Sequence, residues 1–545
     1  MSPPRATIVL TGQVVVSISG DGLETAEAIG VADGRVVTVG SRDDVLEVAA
    51  PGARLVAAGT AAIIPGIHDF HLHLIGMARA RRAVPLDQAA TFEALLAELR
   101  GAASRLPADL WLTGRGWREE LLAGGDLSRL DEAVGRRPAI LSSHDGHSAW
   151  ASAAALRAAG LEAATPEPAG GRIERRADGA PSGVLRESAT DLVESVAARL
   201  RGPALDAALD EVLAELAGLG ITGATDAGDP TAENGIGEYG TLGDSASLLI
   251  GARARLDGRI RLTVNLPAAA IRAASVLGLR TGATLPGTST LRAGWAKAYV
   301  DGALGSRTAA LHAPYVDTTG EELGIVRLAP EQLDGLAAAG RAAGIGLALH
   351  AIGDRAVTLA LDALGRAPVA GIGTPSDRIE HAQLVRADDL GRFAELRVTA
   401  SLQPVHVVTD RPLAEAVWAD RLGAAYPWRS LAAAGARLAF GSDAPIETAN
   451  PWLGLFAAVH RRAPADGPPD WQAQEALDPR VALAAYTRAP AIGIGRPDEG
   501  YLGVGAVADL AVLNVDLDSL VVADERLATV RSDLTLVGGR EVRRA

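Results

Sequence analysis

Two histidines in the stretch PGIHDFHLH, His71 and His73, have a spacing that suggests chemistry. They end an apolar run that predicts a β-strand, and residues two apart on a strand point to the same face. Further along, His350 closes LALH, His381 closes RIEH and Asp443 follows LAFGS, each where an apolar strand should open into a loop. Neutral imidazoles with a carboxylate are ligands for Zn²⁺ and similar divalent metals. The pattern therefore predicts a metal site at the ends of several strands.

Lys297, in GWAKAYVDG, is the only lysine in 545 residues, and the other 51 of the 52 basic residues are arginine. An ammonium group would be repelled by a metal, whereas a neutral amine can add CO2 and become a carbamate that bridges two metals. Arginine cannot do this because its guanidinium stays protonated. The alternatives are an ion pair with Asp301, a cationic contact with substrate and a Schiff-base nucleophile. We favour the metal-bridging role.

Eight short apolar runs alternate with Ala/Leu-rich helical stretches, which is typical of βα units around a parallel sheet. The predicted strands lie near 62–71, 220–228, 260–266, 293–302, 345–353, 377–383, 397–404 and 436–445. Each candidate ligand then lies toward the carboxyl end of a strand, where barrel enzymes place their active sites. The sequence thus predicts an α/β protein with a (β/α)8 TIM-like barrel.

Three regions flank or interrupt this pattern. Residues 1–62 and 498–545 are β-rich and are predicted to form one small β-sandwich domain from both chain termini, around a barrel spanning 63–497. About 150 residues separate the first two barrel strands, far more than a normal βα connection. We therefore expect an inserted cap subdomain at about 80–215, over the barrel mouth.

Composition limits the possible partners. The formal net charge of −14 disfavours nucleic acid and anionic membranes, and fits a small-molecule substrate. The absence of cysteine excludes disulfides, cysteine-ligated metals and thiol nucleophiles. The N-terminus lacks the pattern of a signal peptide, and no apolar run approaches the roughly 20 residues of a membrane span. We expect a cytoplasmic protein without a membrane partner; the oligomeric state is open, with a homodimer as the assembly considered.

The order HxH, Lys, His, His, Asp on successive barrel strands resembles the metal-dependent amidohydrolase superfamily. Longer phrases resemble its YtcJ-like branch, amidohydrolase family 3, which includes N-substituted formamide deformylases. They run in order through nearly the whole chain: PGIHDFHLH, SSHDGHSAW, AKAYVDGALGSRTAAL, LALHAIGDRAV, RIEHAQLV, ASLQPVH, GSDAPIETANPW and YLGVGAVADLAVLN. The resemblance implies that His71 and His73 bind the more buried metal, that carbamylated Lys297 bridges, and that His350 and His381 bind the second metal.

The resemblance also implies a reaction. Asp443 resembles the superfamily's strand-eight aspartate, which binds metal, takes a proton from the attacking water and delivers it to the leaving nitrogen. The implied activity is hydrolysis of a non-peptide C–N bond, in an amide or an N-formyl or N-acyl amine, with one or two divalent metals, Zn²⁺ being the one expected. Alternatives are a mononuclear deaminase of a cyclic amidine, which needs no bridging lysine, and a catalytically retired binding or regulatory protein. His68 is interpreted as structural.

Five further residues are candidates for substrate binding. His147, in DGHS, and Trp117, in RGW, belong to the predicted cap, although Trp117 is equally consistent with a core aromatic. Arg307 follows DGALGS and could bind an anionic group. Asp301 could orient a loop or a ligand, or cap a turn before glycine. His406 follows strand seven in SLQPVH and is a pocket candidate.

Overall fold

The computed structural model describes residues 4–19, 22–107, 110–118, 121, 127–168, 170–197, 200–228, 242–316, 322–368, 375–465 and 471–544. The strands of these residues form three sheets, of seven, six and eight strands. In chain order the strands are β1 Ala6–Ser19, β2 Gly22–Ala32, β3 Arg35–Gly40, β4 Ala49–Pro65, β5 Ile67–Leu72, β6 Val84–Pro85, β7 Leu112–Trp117, β8 Ala139–Ser143, β9 Ser148–Ala151, β10 Gly171–Arg175, β11 Pro181–Glu187, β12 Ile221–Asp226, β13 Arg261–Pro267, β14 Leu291–Tyr299, β15 Leu347–Ala351, β16 Arg378–His381, β17 Thr399–Leu402, β18 Arg437–Phe440, β19 Leu510–Leu513, β20 Ser532–Val537 and β21 Arg540–Arg544.

The eight-stranded sheet contains β5 and β12 to β18, all parallel and in chain order. The two edges of this sheet meet: the backbone N–H groups of Ser442 and Asp443, just after β18, donate to the carbonyl of His71 on β5. The sheet is therefore nearly closed. Every residue of β5, β12 and β14 is buried, as expected for parallel strands covered on both faces. The eight predicted strands and the TIM-like barrel are therefore confirmed.

Helices follow most barrel strands, and residues that cap helices stand at some of their ends. The helix Pro451–His460 starts after Asn450, whose side chain accepts from the backbone N–H of Trp452. The helix Pro330–Ala343 ends at Gly344, where a φ of 68° favours glycine. The described helices are Arg42–Glu47, Leu74–Ala80, Phe92–Arg105, Leu127–Val134, Ala153–Ala158, Asp191–Glu194, Gly202–Gly218, Asp244–Gly251, Arg253–Leu256, Ile271–Val276, Pro330–Ala343, Asp354–Arg366, Ala387–Glu395, His406–Thr409, Arg411–Val417, Trp428–Ala433, Pro451–His460, Pro479–Tyr486, Arg488–Gly493 and Leu517–Val522. Among them, none combines the length and the apolarity of a membrane span.

The two chain termini share one sheet of seven strands, in the order β21-β20-β19-β4-β1-β2-β3. Leu10 and Val14 belong to one apolar cluster on this sheet, whereas Val9 belongs to another, because neighbouring residues of a strand face opposite sides. We expected a β-sandwich from these segments; their described strands are joined by hydrogen bonds into a single sheet. The domain limits at 62 and 498 stay a prediction.

The segment between β5 and β12 contains the third sheet, in the order β10-β11-β9-β8-β7-β6. It has its own apolar core, which includes Leu99, Leu112, Trp117, Leu141 and Trp150. We call this sheet with its helices the cap; its exact limits, predicted at about 80–215, stay a prediction. At its end, the buried Glu187 accepts a hydrogen bond from Thr308 and forms an ion pair with Arg327, both from the barrel side. These contacts bring the cap against the loop that follows β14.

Candidate metal centre

His71, His73 and Asp443 meet at the carboxyl ends of the first and last barrel strands. His71 Nε2 lies 3.3 Å and His73 Nε2 lies 3.1 Å from Asp443 Oδ1, and all three side chains are buried. One ligand atom from each residue lies within 4.8 Å of the others, so the group could hold a metal ion. The pair of histidines predicted to bind the more buried metal therefore lies together with the predicted aspartate.

A second group of this kind contains His381, His406 and the same Asp443, again with ligand atoms within 4.8 Å. His406 was predicted only as a pocket residue. Its Nε2 is buried, has no hydrogen-bond partner among the described residues, and lies 3.7 Å from Asp443 Oδ2. A buried imidazole nitrogen without a hydrogen-bond partner fits a metal ligand.

His350 was predicted to bind the second metal. Its ring lies 4.6 Å from that of His381, centre to centre, and its Nε2 lies 3.0 Å from the carbonyl oxygen of Gly302. It is thus beside the second group without being one of its three members. Burial lowers the pKa of both His350 and His381 well below the usual value, so both rings are neutral, as metal ligands must be.

Hydrogen bonds behind the first pair of histidines fix which nitrogen faces Asp443. His71 Nδ1 lies 2.5 Å from Glu380 Oε2, and His73 Nδ1 lies 2.5 Å from the carbonyl oxygen of Gly228. Each ring therefore presents Nε2 to the centre, and partners of this kind orient and strengthen metal-binding histidines.

Glu380 is itself held by Arg378, whose Nε lies 2.5 Å from Oε1 and whose Nη2 lies 2.9 Å from Oε2. Burial alone would raise the pKa of Glu380, but Arg378 and His71 hold it well below its usual range, so it is a carboxylate. Sequence reasoning missed both residues. Their signal was present in DRIEH, where two charges two positions apart interrupt a buried strand on one face.

Asp443 and His381 share an unusual backbone. Their φ angles are 60° and 70°, in the left-handed region that non-glycine residues seldom adopt, and such residues cluster at functional sites. Burial would raise the pKa of Asp443, but His71 and His73 hold it well below the usual range. The carboxylate is therefore ionised and able to accept a proton or bind a cation.

Lys297 lies on β14 and is only 3% exposed. Burial lowers its pKa to about 8, although Glu380 and Asp443 act in the opposite direction. Its Nζ lies 4.8 Å from the centre of the Tyr299 ring, and no ion pair joins it to a carboxylate in the described part of the chain. The alternative of an ion pair with Asp301 is not found.

Asp301 instead organises the loops around the centre. Its carboxylate accepts the backbone N–H groups of Ala310, Ile352 and Gly353, and Oδ1 lies 3.7 Å from His350 Nε2. Burial raises its pKa to about 7, against the lowering effect of those hydrogen bonds. Of the three roles considered, this placement fits the orientation of a loop.

The cap contributes His147 to the centre. His147 Nδ1 lies 2.9 Å from the buried Glu187, and its ring lies 5.1 Å from that of His350.

Two predicted substrate-binding residues do not lie at the centre. Trp117 is fully buried in the cap core and donates Nε1–H to the carbonyl of Leu141. Arg307 is half-buried with a φ of 52° and does not line the cavity beside the centre.

That cavity lies between the cap and the barrel, over the two histidine groups. Its lining includes His147, His350, His381, His406 and Asp443, and five further polar side chains. They are His144, Asp145, Gln383, Asp410 and Glu447.

A parallel barrel with histidines and an aspartate gathered at the ends of its strands is the arrangement of a metal-binding barrel enzyme, because barrel active sites lie at this face and these side chains can bind a divalent metal. Residues 54–543 match the model of the amidohydrolase family, and the chain belongs to this family. It is 30% identical over 526 residues to the YtcJ protein of Bacillus subtilis (strain 168), covering 95% of this chain and 96% of that protein. The resemblance found in the sequence is confirmed.

Two further relatives add detail. The chain is 27% identical over 514 residues to an N-substituted formamide deformylase of Arthrobacter pascens, covering 90% of each protein. Its fold is similar to that of an uncharacterized metal-dependent hydrolase from Pyrococcus horikoshii, with a TM-score of 0.73 and 25% identity over 94% of this chain and 98% of that one. The protein is thus a hydrolase of the amidohydrolase family.

Proposed function

We propose that the protein hydrolyses a non-peptide C–N bond, in an amide or an N-formyl or N-acyl amine, with one or two divalent metals, Zn²⁺ being the expected ion. The observation that carries this proposal is the meeting of two histidine groups on the single carboxylate of Asp443. The Arthrobacter pascens relative is named an N-substituted formamide deformylase, which supports this type of bond.

The residues present fit a metal. His71, His73 and Asp443 would hold one ion, and His381, His406 and Asp443, with His350 beside them, would hold a second. The buried Nε2 of His406 and the hydrogen bonds behind His71 and His73 support this assignment. When bound, a divalent metal polarises a carbonyl group and lowers the pKa of water.

Lys297 is proposed to react with CO2, the new N–C bond forming as Nζ loses a proton, to give an anionic carbamate. A pKa of about 8 leaves a substantial fraction of the amine neutral near physiological pH, which this reaction requires. A small cavity of about 20 Å³ borders the side chain, with Gly228 and Asn265 in its wall. Asn265 Nδ2 is buried and has no hydrogen-bond partner among the described residues, so it can donate to the carbamate.

Asp443 is proposed to move the proton. Its ionised carboxylate accepts a proton from the attacking water and returns it to the leaving nitrogen, so that water and amide yield a carboxylic acid and an amine. Glu187 raises the pKa of His147 against the effect of burial, and the ring is proposed to be protonated at both nitrogens, so that Nδ1–H donates to Glu187 and Nε2–H donates to the substrate carbonyl. Asp443 and His147 line the same cavity, one from the barrel and one from the cap.

A panel of N-formyl and N-acyl amines, with a cyclic amidine as the alternative, tests the proposal. Protein loaded with Zn²⁺ should release amine from at least one N-formyl or N-acyl compound and no ammonia from the amidine. Removal of metal by a chelator should abolish the release, and added Zn²⁺ should restore it. Ammonia release from the amidine alone, or no hydrolysis by protein that carries stoichiometric metal, would contradict the proposal.

A further inference from the structure

A second, larger cavity adjoins the candidate metal centre and takes no part in the reaction described above. Its volume is about 630 Å³, within the range of cavities that hold drug-sized ligands. It lies between the cap and the helix Leu74–Ala80, which begins directly after His73, and its lining includes Ala80, Trp111 and Ile140. The wall is apolar in large part, so it suits an aromatic or aliphatic group.

The two cavities share a wall. Ile446 lines both, and Pro445 beside it lines the larger one. In the cap, Ser143 and Gly146 face the larger cavity while Asp145 and His147 face the centre. The larger cavity therefore lies directly beside the cavity of the metal centre, close enough to receive the part of a substrate that is remote from a reacting bond at that centre.

Arg115, on β7 of the cap, is a half-buried cation in the larger cavity. One of its side-chain N–H groups donates to the carbonyl of Pro445, and no carboxylate among the described residues lies within 4.0 Å. Pro445 is two residues from Asp443, and two residues of chain span at most about 7 Å. A planar guanidinium with free donors beside an apolar cavity is suited to a carboxylate, which it can bind with two hydrogen bonds.

The other arginines of this cavity differ. Arg79 and Arg201 both form ion pairs with Asp244, and Arg82 forms one with Glu211. Each of these three arginines is paired with a carboxylate, whereas Arg115 has none within 4.0 Å among the described residues. Asp87 and Glu447 act on it from farther away, and Glu194 is the one carboxylate among the described residues that line the cavity.

We infer that this cavity binds the part of the substrate remote from the reacting bond, and that the substrate is an amide bearing an apolar group with a carboxylate at its far end, recognised by Arg115. This inference rests on the proposed function for the identity of the reacting bond. It assigns specificity to the cap, which supplies Arg115 and much of the apolar wall.

Two matched substrates test it: 4-(2-formamidoethyl)benzoate and its uncharged counterpart, N-formyl-2-phenylethylamine. The Zn²⁺-loaded wild type should prefer the benzoate by at least tenfold in kcat/KM. Arg115→Met should lose about a hundredfold on the benzoate, chiefly through KM, and little on the uncharged compound. Arg157→Met, at an exposed arginine of the cap, is the matched control and should keep the preference. If Arg115→Met retains the wild-type preference, the assignment of Arg115 is wrong.

A second variant tests the cavity itself. Ala80→Phe fills space in the wall and should lower kcat/KM at least tenfold for both aromatic formamides, while N-methylformamide, which is too small to need the cavity, is hydrolysed as by the wild type. The small substrate also reports whether the variant is folded. Full activity of Ala80→Phe on both aromatic compounds would overturn the inference.

Calorimetric binding of 4-ethylbenzoate separates this inference from the proposed function. If metal-loaded protein hydrolyses none of the formamides, the proposed function fails. At least tenfold weaker binding of 4-ethylbenzoate to Arg115→Met than to Arg157→Met would still support the cavity as a carboxylate site. Equal binding to the two variants would overturn it.

Discussion

His406 Nε2 faces the carboxylate of Asp443 across 3.7 Å, is buried, and has no hydrogen-bond partner among the residues described. The other oxygen of this carboxylate lies 3.1 Å from His73 Nε2. One carboxylate thus touches both histidine groups, and each group adds its own pair of imidazoles. Changes at His406 should therefore affect the group with His381 and spare the group with His71.

Replacing His406 by alanine should lower the content or affinity of divalent metal and reduce kcat by about a hundredfold, because one imidazole ligand is lost. Metal analysis of the purified protein, together with kcat, provides the measurement. His312→Ala is the matched control, since His312 is exposed and its ring contacts the Thr358 hydroxyl. Unchanged metal content and affinity in His406→Ala would return His406 to the role of a pocket residue.

Asp443→Asn should reduce turnover by about a thousandfold and keep part of the metal. Asparagine retains an oxygen ligand but cannot accept the proton of the attacking water, and general acid–base groups contribute factors of about 10² to 10⁴. Parallel measurement of kcat and metal content separates the two effects. Wild-type turnover in this variant would remove Asp443 from proton transfer.

Lys297→Arg should be as damaging as Lys297→Ala, because neither side chain can form a carbamate. A carbonyl signal from ¹³CO2 bound to the wild-type protein, absent in both variants, would identify the modification by NMR. If Arg supports activity close to that of the wild type, Lys297 acts only as a cation and the bridging role is wrong.

The sequence predicted the barrel well, because a buried parallel strand is apolar on both faces and the polar residue at its end is conspicuous. His71, His73 and Asp443 were found in this way. His406 was underestimated because it begins a short helix four residues after β17, where no strand pattern marks it. Which imidazole nitrogen faces the metal centre could not be predicted, because it depends on hydrogen bonds between distant parts of the chain. The hydrogen bond between His71 and Glu380, for example, joins residues 309 positions apart.

The cap was predicted as an insertion over the barrel mouth, with His147 and Trp117 as its substrate-binding candidates. Trp117 and Arg115 lie two residues apart on one strand, yet Trp117 packs in the cap core and Arg115 lines the larger cavity. A register shift in the pairing of β7 with β8 between these residues separates their environments. Sequence patterns do not reveal such an irregularity, so the specificity of the cap follows from the structure alone.

Glu380→Gln should weaken metal binding by about 10- to 100-fold without removing any ligand, because His71 loses the anionic partner at Nδ1 that orients its ring. Competition with a chelator measures the affinity. Glu331→Gln, at an exposed position, is the control. An affinity equal to that of the control would show that Glu380 does not position His71.

His68 should make the protein less stable as the pH falls. Its ring is buried and 3.1 Å from the Thr225 hydroxyl, and burial, helped by Arg292 and Arg378, lowers its pKa from 6.5 to about 3. Between these values the unfolded chain binds a proton that the folded chain does not. The stabilising contribution is therefore complete above pH 6.5 and is lost toward pH 3, at about 1.4 kcal/mol per pH unit. Unfolding by denaturant at several pH values should give a shallower decline for His68→Asn than for the wild type; metal release in acid affects both proteins alike, so equal slopes would contradict the prediction.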